Sequence, residues 1–266
     1  MTLSDKEKSE LIRVAGLLAD ASRIESLKYF RKSDLSLENK GATGFDPVTV
    51  ADRAAELAMR DILERERPDD AVFGEEFGEK SGTSGLTWVI DPIDGTRAYM
   101  SGTPTWGTLI AVSNETGPVC GMIDQPYIGE RFIGGWGQAR MEGPHGSEAM
   151  VARKGSTITD ATLFTTFPEV GTPEEEAAFR RVAEKVRLVR YGMDCYAYAL
   201  LAAGQIDLVI EAGLNAYDIQ APIAVIEAAG GIVTDWQGGP AHQGGQAVAA
   251  ANPEVHRAAL KLLQSE

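Results

Sequence analysis

Cysteine is scarce in this chain: Cys120 and Cys195 are the two that occur among 266 residues, too far apart to form a C-x-x-C metal or redox pair. A disulfide-built scaffold is excluded and a reducing compartment is expected. Histidine is nearly as scarce, and His145, His242 and His256 are too scattered to suggest a histidine-based zinc site. No apolar run approaches the ~18 residues that a membrane span requires. The opening MTLSDKEKSELIRVAGLLAD lacks the basic-then-apolar layout of a signal peptide, so a cytoplasmic protein without a membrane partner is expected. Positive charge is short as well: 25 Lys and Arg against 39 Asp and Glu leave a net charge of −14, which argues against nucleic acid as a partner. What is present, 44% hydrophobic and 24% charged residues, is the composition of a globular protein with a substantial core and excludes disorder.

Helical spacing of apolar residues predicts helices over 5–30 and 50–66. Short β-like runs at Thr87–Ile90, Thr108–Val112, Val119–Ile123 and Arg131–Gly134 predict a largely antiparallel sheet. Beyond about residue 145 strands alternate with helices: strands at Thr162–Phe167, Arg187–Tyr191, Ile206–Glu211 and Gly231–Asp235, and helices at Pro173–Glu184, Cys195–Ala203 and Tyr217–Ala229. A strand at Ala247–Ala250 and an amphipathic helix at Pro253–Leu263 close the chain. This pattern predicts an α+β protein of two packed lobes, 1–145 and 146–266, with helices covering the sheets.

Several phosphate and metal motifs fail by counting. A P-loop begun at Gly74 meets Glu79 where its second glycine should be, and Gly135–Gly137 is followed by Arg140 in place of a third glycine. An EF-hand begun at Asp91 has Ile93 at its third position, and no Gly-x-Ser-x-Gly elbow occurs. Carboxylates at turns, in contrast, recur beside apolar runs: Asp46 and Asp52 in FDPVTVAD, Glu75 and Glu76 in VFGEE, Asp91 and Asp94 in WVIDPIDGT, and Asp218 in LNAYDIQ. A strand ending at Ile90 delivers Asp91, Pro92 is expected to force a turn, and Gly95 and Thr96 open a short helix, Thr96–Met100. Asp91 and Asp94 can then converge while the Gly95 and Thr96 amides face outward, so that a hard cation and a phosphate fit side by side. Each piece also has a plain structural reading. Asp-Pro and Asp-Gly form turns, Gly-Glu-Glu suits a solvated loop, and Asp52 suits an exposed helix position.

Taken together these motifs resemble the inositol monophosphatase-like, metal-dependent sugar-phosphatase family. Its W-x-I-D-P-[IL]-D-G-T hallmark stands unbroken as WVIDPIDGT, with D-x-V-T-x-x-D at Asp46–Asp52, G-E-E at Gly74–Glu76 and [WY]-D-x-x-[AG] at Tyr217–Ala221, in the family's order. The runs GMIDQPYIGERFIG and YGMDCYAYALLAAGQIDLVIEAGL are similar to its histidinol-phosphate phosphatase branch. The resemblance implies a layered αβαβα sandwich, a cytoplasmic homodimer, and Mg²⁺-dependent hydrolysis of a small phosphate monoester, with L-histidinol phosphate first and inositol phosphate or another monoester as alternatives. A non-catalytic acidic binding protein is the alternative of a different class.

The resemblance also implies roles. Glu75, Asp91 and the Ile93 carbonyl would hold one Mg²⁺, Asp91, Asp94 and Asp218 a second, and Glu75 would touch a third, giving two or three per active site. Thr96 would orient the attacking water with Asp52 behind it, and Gly95 and Thr96 amides would bind phosphate. Arg97 is either a phosphate contact or an exposed helix arginine. Asp194 and Glu211 are the substrate-side candidates, their structural readings being a helix N-cap and a strand-end surface residue, and Asn215 aligns on the same side. Cys195 is read as a small packed residue, and Trp106 and Tyr198 as core or pocket wall. Lys40 is given no role, because the family's lysine ahead of D-x-V-T has no clear equivalent here.

Overall fold

A computed structural model describes residues 3–32, 37–39, 47–167 and 169–265, with the backbone alone for 37–39 and 47–49; Lys40 and Asp46 lie outside the described residues. In chain order the elements are α1 (Asp5–Tyr29), β1 (Leu37–Asn39), β2 (Pro47–Thr49), α2 (Val50–Glu66), β3 (Ala71–Gly74), β4 (Gly78–Lys80), β5 (Thr87–Asp94) and α3 (Thr96–Ser101). The chain continues with β6 (Gly107–Asn114), β7 (Gly117–Gln125), β8 (Glu130–Gly135), β9 (Gln138–Gly143), β10 (Gly146–Ala149), β11 (Thr162–Thr165), α4 (Pro173–Ala183) and β12 (Leu188–Tyr191). It ends with α5 (Asp194–Ala202), β13 (Leu208–Leu214), α6 (Ala216–Ala228), β14 (Ile232–Thr234), β15 (Gly245–Ala250) and α7 (Pro253–Leu263).

Two large sheets organise these elements. The first has eight strands in the order β10-β9-β8-β7-β6-β5-β3-β4, antiparallel except for the β3–β5 pair; the second has five, β12-β11-β13-β15-β14. Side chains alternate across each strand, and the alternation generates the layers. Trp88, Ile90, Ile110, Val112 and Met122 pack beneath Leu11, Leu18, Met59 and Leu63 of α1 and α2. Val89, Leu109, Ala111, Ile123 and Phe132, on the opposite face, pack against α5 and α6, whose far side meets Phe164, Val209, Ala247 and Ala249 of the second sheet. The other face of that sheet, Leu163, Leu208, Ile210, Val248 and Ala250, is covered by α4 and α7. The result is an α+β sandwich of five layers, helix, sheet, helix, sheet, helix. Helices α5 and α6 are apolar over most of their surface because they are enclosed between two sheets, with Asp194 and Asp218 confined to their first turns.

Candidate active site

Strand β5 does not stop at Ile90. Its pairing with β6 runs on to Asp94 opposite Gly107, with a register shift between Asp91 and Asp94, so the expected break at Pro92 becomes a bulge inside a strand. Proline lacks the N–H that a ladder needs and is accommodated where the ladder is interrupted. The Pro92 carbonyl is taken up by the Thr108 hydroxyl at 2.8 Å and the Ser22 hydroxyl at 3.3 Å. The bulge turns the buried Asp91 into the site, where its Oδ1 accepts the Ile93 N–H at 3.0 Å. Gly95 follows in the left-handed region, φ 83°, and α3 begins.

Asp91, Asp94 and Asp218 each offer a carboxylate oxygen within 4.8 Å of the others. Glu75, just past β3, joins them through a hydrogen bond to Asp91. Asp218 is held in the first turn of α6, where its Oδ2 accepts the Asn215 N–H at 2.7 Å. Burial first, and then the charges of Glu75, Asp94 and Asp218, push the Asp91 carboxyl well above the usual carboxylate range. Asp94 is shifted the same way, by burial and then by Asp218 and Asp194, against the opposing pull of the Cys195 N–H. Carboxylates crowded like this destabilise one another's charged forms unless a cation lies among them, and an all-oxygen donor set suits a hard divalent ion. These residues therefore fit the metal that the sequence implies.

Asp52 is buried at the start of α2, not exposed, with its Oδ1 3.5 Å from the Thr96 hydroxyl; the same hydroxyl lies 3.2 Å from the Ile93 carbonyl. Asp194 is not an N-cap. Met193 holds the cap position without a side-chain bond, while Asp194 adopts φ 46° and accepts the Thr105 hydroxyl at 3.0 Å. The α5 N-terminus is capped from the first sheet instead, by Asp94 Oδ2 at the end of β5 accepting the Cys195 N–H at 2.7 Å. Burial raises the Asp194 pKa, with Thr105 and Arg97 opposing. Glu211 is neither at a strand end nor on the surface. Strand β13 continues through a bulge to Leu214, and Glu211 is buried, accepting the Thr166 N–H at 2.7 Å and hydroxyl at 2.9 Å. Burial pushes its pKa up to about 7. Arg97 is exposed with its guanidinium 4.9 Å from the centre of the Phe167 ring.

A single cavity of about 300 Å³ gathers Glu75, Asp91, Ile93, Asp94, Gly95, Thr96, Arg97, Asp194, Glu211, Asn215 and Asp218, with Asp52 behind Thr96. Thr166 and Phe167 also line it, and no sequence signal marked either of them. Tyr198 is a buried wall residue whose hydroxyl has no hydrogen-bond partner among the described residues, and burial raises its pKa well above the ordinary phenol value.

Fold and site together define a class: a five-layer sandwich whose acidic cluster joins β5 and the end of β3 of the first sheet to the start of α6, in a cavity that β13 of the second sheet also lines. The model of the inositol monophosphatase family matches residues 7–266. The bifunctional phosphatase IMPL2, chloroplastic, of Arabidopsis thaliana is 41% identical over 274 residues, covering 98% of this chain and 77% of the relative. A histidinol-phosphatase of Streptomyces coelicolor is 35% identical and covers 92% of this chain and 93% of its own. The solved structure of an inositol monophosphatase from Zymomonas mobilis superposes with a TM-score of 0.84 at 36% identity, covering 99% of this chain and 100% of that one. The chain belongs to the inositol monophosphatase family, whose members are metal-dependent, and its chemistry is that of a phosphoric monoester hydrolase.

Proposed function

We propose that the protein hydrolyses L-histidinol phosphate to L-histidinol with Mg²⁺, a step of histidine biosynthesis. The observation that carries the substrate is the pair of carboxylates Asp194 and Glu211, which line the same cavity as the acidic cluster but are held by Thr105 and Thr166. Histidinol phosphate carries an ammonium group and a protonatable imidazole, whereas an inositol phosphate offers neutral hydroxyls. Carboxylates withdrawn from water favour a cationic partner. The similarity to a histidinol-phosphatase supports the same reading.

In this reading Glu75, Asp91 and the Ile93 carbonyl hold one Mg²⁺, Asp91, Asp94 and Asp218 a second, and Glu75 touches a third. When bound, the metal supplies charge stabilisation to the phosphoryl and leaving oxygens and acidifies a water. Thr96 orients the attacking water by accepting a hydrogen bond from it at the hydroxyl, which keeps its own hydrogen directed at Asp52. The amides of Gly95 and Thr96, with Arg97, hold the phosphate, and Asp194, Glu211 and Asn215 take the amine and imidazole. No side chain forms a covalent phosphoenzyme. A homodimer is part of the same proposal, and sedimentation velocity reads it directly.

Phosphate release measured over a panel of histidinol phosphate, inositol phosphate and simpler monoesters, with Mg²⁺ and with EDTA, tests the function. The expected result is Mg²⁺-dependent turnover with the highest kcat/KM on histidinol phosphate. Preference for inositol phosphate would overturn the substrate assignment, and absence of Mg²⁺-dependent release from every ester would point to a non-catalytic binding protein.

A further inference from the structure

One turn after Asp52, helix α2 carries a second buried carboxylate, Glu56, with no solvent exposure. Its Oε2 accepts the Glu76 N–H at 2.7 Å and its Oε1 accepts the Phe77 N–H at 3.2 Å. Arg60, a further turn along, donates Nε to Glu56 Oε1 at 2.8 Å and also donates to the Gly78 carbonyl. The reversal from β3 to β4, which presents Glu75, is thus fastened to α2 at three backbone groups, although β3 and β4 themselves share only three residue pairs. Gly74 leaves the room for this. A Cβ there would lie 2.1 Å from Glu56 Oε1, so the carboxylate packs directly on the end of β3.

A buried ion pair is a weak device for stability alone, since an apolar pair of similar volume does as well or better. What a carboxylate does, and an apolar group cannot, is accept two amide hydrogens in fixed directions. Glu75 gains from such a restraint, because its carboxylate has to be held in hydrogen-bond reach of Asp91, a buried carboxyl whose charged form it disfavours. Glu56 does not line the cavity and touches neither metal nor substrate.

We infer that Glu56 is a positioning residue for the metal site: with Arg60 it locks the Glu75–Phe77 turn onto α2 so that Glu75 meets Asp91. The inference rests on reading the carboxylate cluster as a metal site. Because Asp52 and Glu56 stand four residues apart on one buried helix face, α2 also fixes the spacing between that turn and Thr96.

The test is titration calorimetry of the full-length protein with Mg²⁺ alone, without substrate, alongside circular dichroism. Native protein should bind Mg²⁺ saturably and Asp91→Asn should not. Glu56→Gln, which keeps the shape but turns an amide N–H₂ against backbone N–H groups, should retain the native spectrum and bind Mg²⁺ roughly 10–100-fold more weakly. Its kcat should recover substantially at saturating Mg²⁺. Arg60→Gln, at a half-buried position, should shift Mg²⁺ affinity in the same direction by less, and it decides the matter if Glu56→Gln does not fold. Asp70→Asn is the comparison: Asp70 is an equally enclosed carboxylate that accepts Trp88 Nε1 at 2.8 Å and Arg67 Nε at 2.7 Å just ahead of β3. It should lower Tm and leave Mg²⁺ binding native. A folded Glu56→Gln with native Mg²⁺ affinity, or an equal loss in Asp70→Asn, would overturn the inference. Native protein that binds no Mg²⁺ would remove the metal-site reading and the inference with it.

Discussion

Thr96 has one hydroxyl hydrogen and two acceptors within reach, the Ile93 carbonyl at 3.2 Å and Asp52 at 3.5 Å. If that hydroxyl orients water, Thr96→Ala removes the orientation but leaves the backbone amide proposed to contact phosphate. The expected outcome is a fall in kcat of ~10²-fold with KM little changed. A change confined to KM in steady-state assays would reassign the side chain to binding. Asp194 calls for a different substitution. Its φ of 46° is a region that asparagine tolerates and alanine does not, so Asp194→Asn removes the charge without adding backbone strain. Loss of one partner from a desolvated charge pair costs ~2–5 kcal/mol, so kcat/KM for histidinol phosphate should drop roughly 30-fold or more. A neutral phosphate ester should lose little. Equal losses on both substrates would mean that Asp194 acts in folding and not in recognition. Neither the left-handed backbone at Asp194 nor the burial of Glu211 was legible in sequence, because both depend on what other elements bring alongside.

Elements were legible where burial imposes a period. The strands β5 to β8 each place one face against α1 and α2 and the other against α5 and α6, and their apolar runs announce them. Strands β9 and β10 are half-buried or exposed along their length, carry no such run, and went unseen. Strands β1 to β4, three or four residues each, went unseen as well, whereas β11, β12 and β14, no longer than these, were marked by their alternation with helices. The motif WVIDPIDGT was legible as chemistry but misread as structure, since proline suggested a turn where the strand bulges and continues. The junction between β5 and α3 then depends on Gly95. Its φ of 83° disfavours any side chain, and a Cβ would lie 2.8 Å from Asp194 Cγ. Gly95→Ala should therefore destabilise the protein by about 1–3 kcal/mol, read as a lower urea midpoint, and should displace Asp194 as well. A variant with native stability and native selectivity would show that the junction relaxes freely.

At the scale of the molecule, a site that concentrates negative charge inside a five-layer sandwich makes its own contribution to the pH dependence of stability. Asp91, Asp94 and Glu211 have native pKa values raised chiefly by burial, Glu211 to about 7, against roughly 4 for carboxyls in an unfolded chain. At these three groups the folded state binds more protons than the unfolded one, so the stability they contribute is full below about pH 4 and is lost as pH rises through about 7. Metal-free protein should have a higher Tm near pH 5 than near pH 8, and Glu211→Gln should reduce the difference. If the ionised carboxylates hold Mg²⁺ as proposed, adding it should restore most of the loss at the higher pH. A Tm of EDTA-treated protein that climbs steadily toward pH 8 would contradict this account. The layered architecture itself was legible from the resemblance, whereas the meeting of elements from two sheets at one cavity required the fold.

The bond from the Cys195 N–H to Asp94 ties the first helical turn of α5 to a carboxylate of the acidic cluster. An amide exchanges its hydrogen with solvent only when its bond opens, and a carboxylate engaged by a cation has less freedom to let go. Deuterium uptake at the start of α5 should therefore slow when Mg²⁺ is added, even with no phosphate ester present. The protein then carries an isotopic gauge of its own occupancy, one main-chain hydrogen whose lifetime records whether the catalyst is loaded. Unchanged uptake there while Mg²⁺ demonstrably binds would place Asp94 outside the cation's grip.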